Sequence, residues 1–122
     1  MPRNRLEEEF QIALVEYLNL VKTANGFMVF SSPNEALGKA KTGAGIGRMV
    51  RLKKMGLRHG VSDLIFVKSG RVFFLELKAT KGIQSDYQKE FELDCIKNLA
   101  PYAVAYSFDE AISILTEWGI LK

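Results

Sequence analysis

Residues 60–78 read Gly-Val-Ser-Asp-Leu-Ile-Phe-Val-Lys-Ser-Gly-Arg-Val-Phe-Phe-Leu-Glu-Leu-Lys. Two β-rich runs, 62–68 and 71–78, are joined through Ser69-Gly70, and so short a connection favours an antiparallel hairpin. Asp63 stands at the start of the first run. Glu76 and Lys78 stand at the end of the second. Side chains two apart on a strand point to one face, so Glu76 and Lys78 emerge together. The continuous apolar run from Val72 to Leu75 predicts a strand buried on both faces. Charges at its end are then partly buried and need partners.

Outward from the hairpin, the chain alternates between two periods. Phe10, Leu14, Tyr17, Leu18 and Val21 recur at steps of three and four, predicting an amphipathic helix over 6–22 that stops at Asn25-Gly26. Phe27 to Ser31 reads as a short strand. Residues 32–47, rich in Gly, Lys, Asn and Ala, read as a mobile loop, and Met49 to Met55 as a short basic helix closed by Gly56. After the hairpin, Ser85 is a candidate N-cap for a helix over 86–99, with Ile83, Tyr87, Phe91, Cys95 and Leu99 in support. Tyr102 to Tyr106 reads as a strand and Asp109 to Glu117 as a final helix. The order αβ(loop α)ββαβα predicts one α/β domain spanning residues 1–122, a mixed sheet flanked by helices.

The 122 residues are 48% hydrophobic and 25% charged, the composition of one globular domain. No apolar run is long enough for a transmembrane helix, and the first residues are too polar for a secretory signal. The single cysteine, Cys95, cannot form an internal disulfide and reads as a small, half-buried hydrophobe. A reducing, cytoplasmic setting is expected. The net charge is +3, but its distribution is uneven. Between Glu35 and Asp63 there is no acid and there are seven bases: Lys39, Lys41, Arg48, Arg51, Lys53, Lys54 and Arg58. Such a block is either a solvated loop or the footprint of a polyanion partner.

Two carboxylates on adjacent strands of one hairpin suit a hard divalent cation, which takes oxygen ligands and activates water for phosphodiester hydrolysis. Asp63 and Glu76 can converge on one ion, and the Leu77 carbonyl lies between Glu76 and Lys78 as a further donor. Protonated Lys78 is a poor metal ligand but can orient water or stabilise developing negative charge. The bland alternative is a surface strand with alternating polar residues. His59, the only histidine, has no partner that would make it a general base and reads as structural or DNA-contacting. Trp118 reads as core or interface.

Gly-Val-Ser-Asp-Leu, Phe-Leu-Glu-Leu-Lys and Gly-Ile-Gln-Ser-Asp-Tyr-Gln, in that order, resemble the PD-(D/E)XK nuclease superfamily, and within it the small VRR-NUC branch of phages and larger repair nucleases. Glu7 and Gln11 on the first helix, Ser-Pro-Asn-Glu at 32–35, and Lys-Lys-Met-Gly before the Asp motif extend the likeness over residues 6–108. Ser62 departs from the proline of the superfamily's name, a position that contributes no ligand. The resemblance implies a restriction-endonuclease-like sheet. It implies Mg²⁺ or Mn²⁺ on Asp63 and Glu76, Lys78 as catalytic lysine, and Gln88 as a site glutamine. It also implies an acid from the first helix, which offers Glu7, Glu8 and Glu9: Glu7 is preferred, being one turn from Gln11, with Glu8 as second choice, the others reading as solvated charges near a helix N-terminus. The function it implies is a metal-dependent DNA endonuclease acting on branched DNA such as a Holliday junction. It would act as a homodimer whose two-fold symmetry supplies two cuts, in the host cytoplasm if phage-encoded. The alternative is an inactive nuclease fold serving as a nucleic-acid-binding module or accessory subunit.

Overall fold

In the computed structural model, which describes residues 5–32, 43–79 and 82–122, Ser69 and Gly70 both take positive φ, 51° and 78°. A type I′ hairpin turn requires positive φ at both central positions. The turn joins β2 (Leu64–Lys68) to β3 (Arg71–Leu77), antiparallel, with Leu64 opposite Leu75 and Lys68 opposite Arg71. β1 (Met28–Ser31) pairs antiparallel with the other edge of β2. β4 (Tyr102–Ala105) lies parallel to β3. The sheet order is β1-β2-β3-β4. A parallel neighbour needs a crossover, and α3 (Asp86–Lys97) is in that connection. The remaining helices among the described residues are α1 (Arg5–Asn25), α2 (Gly43–Lys54) and α4 (Phe108–Glu117). The element order is the expected one, in a mixed α/β fold.

Alternation along the strands divides the side chains between two faces. Phe66, Phe73, Leu75, Leu77 and Ala105 point to one side, where Leu14 and Leu18 of α1 and Ala111 and Leu115 of α4 cover them. Each fully buried leucine there contributes about 1.5–3 kcal/mol, and this packing is what holds α1 against the sheet. Phe74, Glu76 and Tyr102 point to the other side. There Phe91 of α3 meets Phe74 edge-on at 5.0 Å and Tyr102 at 6.0 Å. Trp118, partly buried, packs against the core 5.4 Å from Phe73 on the α1–α4 side, a position that the sequence reads as core or interface. None of the described helices is long and apolar enough to cross a membrane.

Three expectations need correction. β3 is not buried on both faces throughout: Val72 is 40% exposed, and burial deepens only toward the end that carries Glu76. By register, Met28 and Phe30 lie on the same face as Val72 and are also exposed, because α3 covers only the β3–β4 half. The glycine-spaced stretch from Gly43 to Gly47, read as loop, is the first part of α2. Glycine weakens a helix without forbidding it, and Ile46, Met49 and Val50 carry a three–four spacing through it. Cys95 is fully buried rather than half-buried; burial pushes its thiol up, with smaller charge effects around it, so it is a poor nucleophile. Lys39, Lys41 and the Ser-Pro-Asn-Glu asparagine and glutamate lie outside the described residues.

Candidate active site

The site grows from one edge of β3. Backbone N–H groups alternate in direction along a strand. Those of Phe74 and Lys78 donate toward β4, to the carbonyls of Pro101 (2.9 Å) and Ala105 (3.0 Å). Those of Leu77 and Ala79 therefore point toward β2, beyond the Leu64–Leu75 pair where the β2–β3 ladder stops. Two carboxylates take the place of the missing strand carbonyls. Leu77 N donates to Asp63 Oδ2 at 2.8 Å, and Ala79 N donates to Glu7 Oε2 at 3.1 Å. Asp63 comes from the residue just before β2, and Glu7 from the first turns of α1.

Glu76 and Lys78 leave β3 on the face toward α3, as the two-residue spacing predicts. Glu76 Oε2 accepts from Gln88 Nε2 at 2.8 Å, and Lys78 Nζ lies 3.8 Å from the same oxygen. Gln88 is also the third residue of a capping box. Its backbone N donates to Ser85 Oγ at 3.2 Å, and its Oε1 accepts from Ser85 N at 2.8 Å. The cap holds the amide oxygen on the helix terminus, which turns the amide nitrogen toward Glu76. The Ser85 N-cap read from the sequence thus does two things: it starts α3 and it orients a site side chain.

The buried polar or charged residues among those described are Glu7, Ser62, Asp63 and Glu76. Three of the four are acids, and all three converge on residues 76–79. Lys78, itself largely buried, lies 3.8 Å from one of them, Glu76. A buried excess of negative charge is costly unless a cation balances it. Among Glu7, Glu8 and Glu9, only Glu7 is buried; Glu9 pairs instead with Arg5 at 3.2 Å on the surface. A signal for this was present in the sequence. Glu7, Phe10, Leu14, Leu18 and Val21 follow one three–four stripe, so Glu7 interrupts the apolar face of α1. Ser62 donates from Oγ to the Leu64 carbonyl at 3.0 Å, and its own carbonyl accepts from Ser32 Oγ at 2.8 Å. It fixes the chain entering β2, a structural part.

Arg48, Arg51, Lys53 and Lys54 are all exposed on α2, which holds no acid. Arg58 is placed differently. Its Nη2 lies 2.6 Å from Asp94 Oδ2, and its guanidinium sits 5.1 Å from the centre of the Phe91 ring. His59 stacks on Tyr87 of α3, with centroids 4.5 Å apart and planes inclined by 24°. Burial, and secondarily the charge of Lys53, pushes the His59 imidazole below its ordinary 6.5. The fold therefore favours the neutral ring. Its contribution to stability is present above the unfolded value and lost as pH falls through the lowered one. The melting temperature is expected to drop as the pH falls below the ordinary value of 6.5. The variant His59→Phe, which keeps a stacking ring, is expected to lose that part of the pH dependence.

Asp63, Glu76 and the Leu77 carbonyl are hard oxygen donors on neighbouring chain segments. No group of three or more His, Cys, Asp or Glu side chains able to hold an ion is found among the described residues. Mg²⁺ does not demand one: it is commonly bound through one or two carboxylates, keeping its waters and sharing substrate phosphates. The donor chemistry and the buried negative charge fit such a cation. Tyr102 shares the face of Glu76; burial, and then the nearby Glu76 charge, pushes its phenol well above its ordinary value, so it stays neutral. Comparison of the chain with models of known families, with curated proteins and with solved structures returned no match.

Proposed function

We propose that the chain is a metal-dependent DNA endonuclease, of the PD-(D/E)XK kind that its motifs resemble and nearest in pattern to the VRR-NUC branch. The observation that carries this reading is the convergence of three buried acids, Glu7, Asp63 and Glu76, on residues 76–79 of β3 beside Lys78. Hydrophobic side chains would pack that strand end at less cost, so the acids call for a chemical reason. Mg²⁺ or Mn²⁺, when bound, supplies an acidified water and neutralises phosphate charge. Asp63, Glu76 and the Leu77 carbonyl would hold it. Gln88 orients the Glu76 carboxylate, and Lys78 is placed to hydrogen-bond a phosphate oxygen or the attacking water. Glu7 closes the acid cluster from α1.

The basic face of α2 would grip phosphates, which fixes position without reading sequence. That favours recognition of DNA shape, and branched DNA is the proposed substrate. A two-fold dimer would supply the paired cuts that a four-way junction requires. The exposed apolar face around Met28, Phe30 and Val72 is available for a second copy. The proposed setting is the cytoplasm.

One observation favours the other reading, a nucleic-acid-binding module without activity. Asp63 and Glu7 satisfy the Leu77 and Ala79 amides, a purely structural service. Incubating the purified protein with linear duplex, flap and four-way-junction DNA, with and without Mg²⁺, decides between them. The expected result is metal-dependent cutting that is strongest on branched DNA and lost in Glu76→Ala. Binding without cutting in either Mg²⁺ or Mn²⁺ would establish the binding module instead, and equal cutting of all three substrates would remove the branched-DNA preference.

A further inference from the structure

We infer that Arg58, His59 and Gly60 form a positioning clamp that sets Gln88 against Glu76 and links that contact to the basic helix α2; the inference rests on the nuclease reading of the site. Three contacts made by consecutive residues carry it. Arg58 pairs with Asp94 and covers the Phe91 ring. His59 stacks on Tyr87. Gly60, at φ +82°, lies directly on the backbone of α3. A β-carbon there would run into the Tyr87 carbonyl and come within 2.8 Å of Gln88 N. Tyr87, Phe91 and Asp94 are spaced at four and three, one face of α3. The whole segment is therefore laid along that face, and Gly60 sits on the peptide that carries Gln88.

The clamp is tied to α2 by a short and bonded link. Met55 N donates to the Arg51 carbonyl at 3.0 Å, Gly56 N to that of Lys53 at 3.0 Å, and Leu57 N to that of Leu52 at 2.9 Å. No slack chain intervenes between the basic face and Arg58. On the other side, only Val61 and Ser62 separate Gly60 from Asp63. A phosphate gripped by α2 thus bears on the same rigid segment that positions both Asp63 and, through α3, Gln88. Arg58, His59 and Gly60 are positioning residues; none of them needs to touch the substrate.

The test is a double-mutant cycle on cleavage of four-way-junction DNA in Mg²⁺, together with the NMR positions of the Gln88 side-chain amide. Gly60→Ala is expected to lower kcat by about 10–100-fold, the usual cost of removing a supporting partner, with KM within about twofold. It is expected to move the Gln88 amide signals. Added to Gln88→Ala, it is expected to cause no further loss, because both act through one contact. His59→Ala should show a weaker form of the same effects, and His59→Phe should restore them toward wild type. Should Gly60→Ala fail to fold, the cycle is run with His59→Ala. Unchanged Gln88 signals in a folded Gly60→Ala protein, or losses that multiply with Gln88→Ala, would overturn the clamp. If the wild-type protein cuts no DNA, the nuclease reading falls by itself, and the Gln88 signals alone then decide whether the clamp exists.

Discussion

Glu76→Gln is expected to reduce cleavage by about 10³-fold or more while raising the melting temperature of the metal-free protein. The two effects have one cause. Glu76 is 2% exposed, sits on the strand end whose Leu77 and Ala79 amides donate to Asp63 and Glu7, and has Lys78 at 3.8 Å. Replacing the acid with the neutral amide of the same shape removes a buried negative charge without leaving a cavity. Relief of repulsion and desolvation then stabilises the fold, in the manner of sites that hold function at the expense of stability. The same change removes a charged oxygen donor for a divalent cation. Thermal melts in chelator and in Mg²⁺ check it: the wild type should gain stability from Mg²⁺ and the variant should not. A variant that melts lower than wild type in chelator would show that Glu76 is held for structure alone.

Neutralising Arg51, Lys53 and Lys54 together is expected to weaken DNA binding at every sequence and to flatten its salt dependence. Each lost phosphate contact lowers the slope of log K against log salt by about 0.9, so full engagement of all three predicts a decrease of about 2.7. These side chains are exposed, and none of the residues 45–54 whose burial is described is buried, so the melting temperature should hardly change. Arg58 is left out of this set because its guanidinium is already committed to Asp94 and Phe91. Fluorescence anisotropy on a labelled junction across a salt series measures the slope. An unaltered affinity would assign the basic block to solvent.

The hairpin was legible because its signals are local. Ser69-Gly70 reports a turn, the apolar runs report strands, and a strand period of two places Glu76 beside Lys78. Ser85 with Gln88 three residues on is likewise a local cap signal. The partial burial of β3 was not legible, because whether Val72 is covered depends on how far α3 extends across the sheet. The extension of α2 back to Gly43 was hidden by glycine, whose weak helix preference is overruled by its context. Glu7, preferred over Glu8 and Glu9 for its one-turn offset from Gln11, is marked a second time by its place on the apolar stripe. Its bond to the Ala79 amide was not legible, since nothing in either segment names the other. The clamp was also hidden: the stacking of His59 on Tyr87 and the close approach at Gly60 arise only when residues nearly thirty apart are folded together.

The hydrogen bond from Ala79 to Glu7 has a consequence for the order in which the site assembles. Its partners are 72 residues apart in sequence, whereas Asp63–Leu77 spans 14 and Gln88–Glu76 spans 12. Closing a longer loop costs more chain entropy. The two short-range contacts can form with the hairpin and the start of α3. The third acid joins only when α1 docks on the sheet. A newly made or partly unfolded chain therefore holds an incomplete acid cluster, and detachment of the N-terminal turn of α1 would remove Glu7 while leaving the sheet standing.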